Sequence, residues 1–102
     1  MTDPRLLLLS PDDNVFVLRG AIAAGETVTL ETGEATLPDR LGMGHKIARR
    51  AIAAGETIVK YGAPIGTATA HIEPGAHVHV HNVKSNHTPT YVLTETSQEV
   101  SR

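Results

Sequence analysis

One spacing of apolar residues recurs along this chain. Ile52, Gly55 and Ile58 form the series I-x-x-G-x-x-I, and Ile22, Gly25 and Val28 repeat it. Both copies overlap an identity, "AIAAGET", at residues 21–27 and 51–57, which stops one residue short of Val28 and Ile58. A looser third copy is Ile72, Gly75 and Val78 in "HIEPGAHV". Pro74 before Gly75 is a turn signature, because Pro fixes one φ and Gly supplies a positive one. The front of "AIAAGET" has helical propensity, but the Gly argues against a helix. Each copy then runs into a β-branched, alternating segment: "TVTLE", "TIVKYG" or "HVHVHNV". Each unit therefore reads as an apolar residue, a tight Gly turn and a strand.

The remaining segments follow the same logic. "RLLLL" and "NVFVLRG" read as early strands separated by the turn "SPDDN". "GHKIARRAI" reads as a short helix or a strand, and the glycines around it favour a strand with loops. "YGAPIGTATA" carries two Gly and a Pro, so it predicts a loop or a bulged strand. The sum is an all-β domain of about seven short strands. Its expected span is 1–87, with 88–102 a polar tail or linker stub in which "TYVLT" could still pair at an edge.

Composition narrows the class. A chain of 102 residues makes one domain with a modest core. It holds one Phe, two Tyr and no Trp, so that core must be aliphatic. The net charge of −2, with both signs scattered, argues against a nucleic-acid surface, which would show a basic stripe. Without cysteine there is no disulfide and no thiolate nucleophile or ligand. "RLLLLS" is too short an apolar run for a signal peptide or a membrane span, so a cytoplasmic domain without membrane contact is expected.

Two constellations carry candidate chemistry. "HVHVH" places His77, His79 and His81 two residues apart. On a strand these share one face, while Val78 and Val80 turn the other way into a core. Two such imidazoles can chelate one metal, and nitrogen donors suit Zn, Fe or Ni better than Mg or Ca. The plainer reading is an exposed polar face that happens to be His-rich. In "GHKIA", Gly42 and Gly44 lead into His45 and Lys46, with Arg49 and Arg50 nearby. Glycine lets backbone approach a ligand, a Lys can hold a carboxylate, and an imidazole can handle protons or metal. A solvated basic loop is the alternative. His71 and His87 read as surface residues.

"DNV" at 13–15, "GHKIA" at 44–48, "IAAGETIVKYGAPIGTAT" at 52–69 and "GAHVHVHN" at 75–82 occur in that order. Together they resemble the SAF domain of the altronate and galactarate dehydratases, a family of sugar-acid hydro-lyases. The resemblance covers roughly residues 10–87. It implies a β-clip fold and a much larger catalytic region, so the chain is expected to be a small subunit beside a large dehydratase subunit, or an excised domain. The residues it implies are His79, His81 and His77 as ligands of a divalent metal, with iron expected, and His45 and Lys46 as catalytic groups. Asp13, Asn14 and Asn82 are the substrate-binding candidates; Asp13 could be a ligand or a turn-former, Asn14 could be only a turn residue, and Asn82 could orient a loop or a His. The implied substrate is a sugar acid losing water. A sulfolactate sulfo-lyase small subunit, eliminating sulfite, fits the same motifs. A non-catalytic SAF binding or structural module, and a homo-oligomer, also stay open.

Overall fold

Four glycines set where this chain reverses. In the computed structural model the described residues are 2–85, and among them are nine strands and no helix. The expected all-β class therefore holds, and among the described residues no helix is long and apolar enough to cross a membrane. The expected C-terminal tail, "TYVLT" and His87 lie outside the described residues.

Gly25, Gly55 and Gly75 have φ of 81°, 88° and 83°. Each occupies the third position of a turn closed by an i to i+3 backbone bond. Those bonds run from the N–H of Glu26 to Ala23 O (3.2 Å), Glu56 to Ala53 O (3.0 Å) and Ala76 to Glu73 O (3.0 Å). A positive φ at that position is the type II requirement, and Pro74 stands where that turn favours Pro. Ile22, Ile52 and Ile72 are buried, as the repeat predicts.

A fourth copy escaped the sequence pattern. Leu41, Gly44 and Ile47 repeat the spacing, with Gly44 at φ 89° and His45 N–H bonded to Gly42 O at 3.3 Å. The four turns pair off through isolated antiparallel bridges, Ile22 with Leu41 and Ile52 with Ile72. The chain is thus an internal duplication. Gly25 N–H bonds Leu37 O and Gly55 N–H bonds Ala68 O; Gly44 N–H bonds Leu18 O and Gly75 N–H bonds Ala48 O. The second copy is one residue longer. The β3 (Thr27–Leu30) to β4 (Gly33–Thr36) hairpin pairs without a slip, whereas β6 (Thr57–Lys60) and β7 (Ala63–Ala68) shift register between Ile58 and Val59. That bulge absorbs the extra residue, and it is the bulged strand expected in "YGAPIGTATA".

The central sheet has the order β1 (Leu6–Leu7), β2 (Val15–Leu18), β5 (Lys46–Ala48), β8 (His77–Val78), all antiparallel. A separate sheet joins β6, β7 and β9 (Val83–Ser85). Alternate side chains of a strand point to opposite faces, so the central sheet serves two cores. Phe16, Leu18 and Ile47 join Leu6, Ile22, Val28, Leu30, Leu37 and Leu41 on one face. Val15, Ala48 and Val78 join Ile52, Ile58, Ala68 and Ile72 on the other. Both cores are aliphatic apart from Phe16.

Asp13 and Asn14 lock the two halves together. The buried Asp13 carboxylate accepts N–H bonds from Ser10 (3.1 Å), Tyr61 (2.8 Å) and Gly62 (2.8 Å). Tyr61 and Gly62 are the two-residue turn of the β6–β7 hairpin, and both have positive φ, the pattern of a type I′ loop. Asn14 donates to Thr57 O (2.8 Å) and accepts from Val59 N–H (2.8 Å), so its side-chain amide pairs with β6 as backbone would. The substrate-binding role expected for these two residues meets a different occupation. Each is about 3% exposed, and their polar atoms are committed to the backbone.

Candidate metal centre

The His-rich segment leaves the sheet sooner than its alternation predicts. Strand β8 ends at Val78, and residues 79–82 form a turn closed by Asn82 N–H to His79 O at 3.1 Å. The three histidines therefore do not share one strand face. Val80 is 80% exposed instead of entering a core, while Val78 is fully buried.

The turn still brings His79 back over His77. Their rings stack at 5.2 Å between centroids, with 8° between planes. His45 comes from the turn before β5. Because Ile47 pairs with His77 and Lys46 with Val78, that register carries the His45 ring to within 5.1 Å of His77 and 5.7 Å of His79. His45 Nδ1 and His77 Nε2 are 3.0 Å apart. One nitrogen from each of His45, His77 and His79 lies within 4.8 Å of the others. His81 is outside this group; its ring is 5.6 Å from His77 and tilted. Of the ligands expected from the sequence, His77, His79 and His81, the geometry brings His77 and His79 together with His45 and leaves His81 outside the group. The reason is the early turn, which ends the two-residue period.

Three nitrogen donors at this spacing fit a borderline metal. Two imidazole nitrogens at roughly 2.0–2.1 Å from one ion lie about 3 Å apart, which the His45–His77 distance already meets. His77 is held below the usual imidazole range, chiefly by burial and then by the neighbouring His45, His79, His81 and Lys46. A neutral ring is the form that binds metal. Asn82 holds the loop, its Oδ1 accepting His79 N–H (3.0 Å) and its Nδ2 donating to His77 O (2.8 Å). Of its two expected roles, the loop-orienting one is what its bonds show.

Lys46 leaves β5 on the face of Val78, away from Ile47 and His77. It lines a cleft of about 210 Å³ with His79, Val80, Ile65 and Val83. Burial, then nearby Lys60, pushes its ammonium below the usual lysine range. Arg49 and Arg50 do not join the site. Arg49 pairs with Glu31 and donates to the carbonyls of Pro11 and Asp13, and Arg50 pairs with Glu56.

Residues 4–86 match the altronate/galactarate dehydratase SAF domain family, and the chain belongs to that family. It is 43% identical over 74 residues to the altronate dehydratase of Escherichia coli K12, covering 72% of this chain and 15% of that protein. The altronate dehydratase of Bacillus subtilis 168 is 42% identical over 74 residues, again 72% of this chain and 15% of the relative. The (2R)-sulfolactate sulfo-lyase subunit alpha of Paracoccus pantotrophus is 43% identical over 54 residues, 53% of this chain and 75% of that subunit. The chain therefore spans about one seventh of the altronate dehydratases it resembles and most of a sulfo-lyase subunit.

Proposed function

We propose that this chain is the small, metal-holding part of a sugar-acid hydro-lyase whose site is completed by a much larger dehydratase region. The observation that carries the reading is the convergence of His45, His77 and His79 in one cluster, in a chain belonging to a dehydratase family. The 15% coverage of the altronate dehydratases supports a large partner region.

Dehydration of an aldonic acid removes the proton beside the carboxylate, expels the β-hydroxyl as water and leaves an enol that becomes a 2-keto-3-deoxy acid. The α-proton is weakly acidic because the neighbouring carboxylate is already negative. His45, His77 and His79 would hold a divalent ion, ferrous iron in our reading, which would supply Lewis-acid stabilisation of the added charge. The chain's own groups do the rest of its share. Asn82 keeps His77 and His79 aimed at one point, and Lys46 offers a cation to the substrate carboxylate at the His79 edge. Among the described residues no base and acid pair surrounds an enclosed substrate, and the large region would supply that pair. Sulfite elimination from sulfolactate is the second reading, favoured by the match over most of a sulfo-lyase alpha subunit.

The test is reconstitution. The chain, the large dehydratase partner and their mixture are assayed with altronate, galactarate and sulfolactate in the presence of ferrous iron, following keto acid and sulfite. Activity confined to the mixture is expected. Full activity from either part alone contradicts the shared site.

A further inference from the structure

Two turns deliver His45 and His79 to the cluster, and each carries an exposed apolar residue at its second position. His45 closes the turn 42–45, in which Met43 stands second; His79 opens the turn 79–82, in which Val80 stands second. Met43 is 75% exposed and Val80 80%. The rings of His45 and His79 are 5.7 Å apart, so the two tips flank one site. The turns themselves do not ask for these side chains. Where turn 42–45 holds Met43, its three repeats hold Ala24, Ala54 and Pro74. Neither Met43 nor Val80 belongs to a core. Val80 also walls the Lys46 cleft, whose other apolar walls are Ile65, Val78 and Val83; no carboxylate lines it. Lys60 stands close to Lys46. Neither lysine has an ion pair among the described residues. One exposed apolar residue is ordinary on a protein surface. Two at matching positions of the ligand-bearing turns, one of them continuous with an apolar cleft, mark a surface that gains by being covered.

We infer that the two ligand-bearing turns form the docking surface for the large dehydratase region, which covers Met43 and Val80 with an apolar patch and sets a carboxylate against Lys60. This rests on the hydro-lyase reading and adds to it the place of contact. That reading needs an acid and a base brought beside the cluster, and the surface is continuous with the cluster through His79. The chain amounts to 15% of the altronate dehydratases it matches, which leaves ample protein to cover it. With Lys46 turned to the substrate, Lys60 is the cation left for the partner. A second copy on the same face, related by a twofold axis, would set like cations together. Covering the turns expels water from the metal site and strengthens the electrostatics inside it.

The test measures affinity between the full chain and the large dehydratase partner by calorimetry, with cobalt(II) binding of each variant as the check on the cluster. Met43→Asp and Val80→Asp should each weaken partner binding by about tenfold or more and keep wild-type cobalt affinity. Lys60→Glu should weaken it at low salt, and less so at 1 M salt, where screening acts over about 3 Å; Lys60→Arg should bind as wild type. Arg40→Ala, in the exposed loop before Leu41, should change nothing. Unchanged binding in both Asp variants, an equal loss in Arg40→Ala, or a cobalt loss that matches the partner loss overturns the inference. So does a dimer of the chain alone that Val80→Asp dissolves, which makes a second copy the occupant, or tighter partner binding in Val92→Asp, which makes the chain's own end the occupant. The mixtures are also assayed for keto acid and sulfite. Docking through Met43 and Val80 without either product leaves the surface standing and overturns the hydro-lyase reading. An active mixture in which neither residue affects binding does the reverse.

Discussion

His45 Nδ1 and His77 Nε2 stand 3.0 Å apart, although 32 residues separate them in the chain. Without metal, one ring's N–H donates to the other's lone pair. That proton moves to the donor ring's other nitrogen before both nitrogens can face one ion, and any protonated ring must first lose its extra proton, so metal binding competes with protonation. Metal affinity should therefore fall as pH drops through the imidazole range. Because His77 is held below that range, it stays a competent ligand to lower pH than a free imidazole. A zinc titration by calorimetry in buffers of different ionisation enthalpy measures the protons released. Metal affinity that does not fall between pH 8 and pH 5 contradicts a site made of imidazoles.

Gly75 and Gly25 occupy equivalent turns but have different surroundings. A Cβ on Gly75 would lie 2.2 Å from Ala35 Cβ and 3.4 Å from Leu30 Cδ1, whereas one on Gly25 or Gly55 meets nothing within 4 Å. All three have positive φ, which costs an L-residue about 1–2 kcal/mol. Gly75→Ala adds overpacking of about 1–3 kcal/mol. Chemical denaturation should show Gly75→Ala destabilised by about 2–5 kcal/mol and Gly25→Ala by about 1–2. Equal losses would mean that the β4 strand yields at no cost.

Asp13 should behave as a structural clasp. Its carboxylate satisfies three backbone N–H groups, two of them in the Tyr61–Gly62 turn. Charge-assisted bonds of this kind contribute about 1.5–3 kcal/mol each, less than additively. Asp13→Ala is expected to cost about 3 kcal/mol or more in denaturant, while its folded fraction keeps wild-type metal affinity. Wild-type stability, or a metal site lost in the folded protein, contradicts this placement.

Much of this was legible in the sequence. The I-x-x-G-x-x-I spacing gave three of four turns, because the side chain set by each turn must be apolar and the turn itself needs a positive φ. The Leu41 copy was missed since Leu replaces Ile and the "GMG" run reads as a loop. The duplication was therefore seen only as a local repeat. The metal cluster was half legible. The alternation of "HVHVH" pointed to the right segment, yet alternation holds only while a strand lasts. No local pattern announced that Asn82 would close a turn after Val78. Long-range register is equally silent in sequence, so which histidines would meet His45 could not be read there; His77 and His79 do, and His81 stands outside the group. For Asp13 and Asn14, polar type near a turn could not distinguish a ligand contact from a bond to the β6 hairpin, 43–49 residues on.

The central claim is one metal site made by His45, His77 and His79, with His81 outside it. Cobalt(II) titration of the chain, read by its visible ligand-field absorption, tests this directly. The wild-type chain and His81→Ala should each bind one equivalent with affinities within a few-fold of each other. His45→Ala and His77→Ala should each lose a factor on the order of 100 or more, since even an outer contact to a ligand is worth roughly 10- to 100-fold. Full affinity in His45→Ala or His77→Ala, or a loss in His81→Ala as large as theirs, would contradict the account.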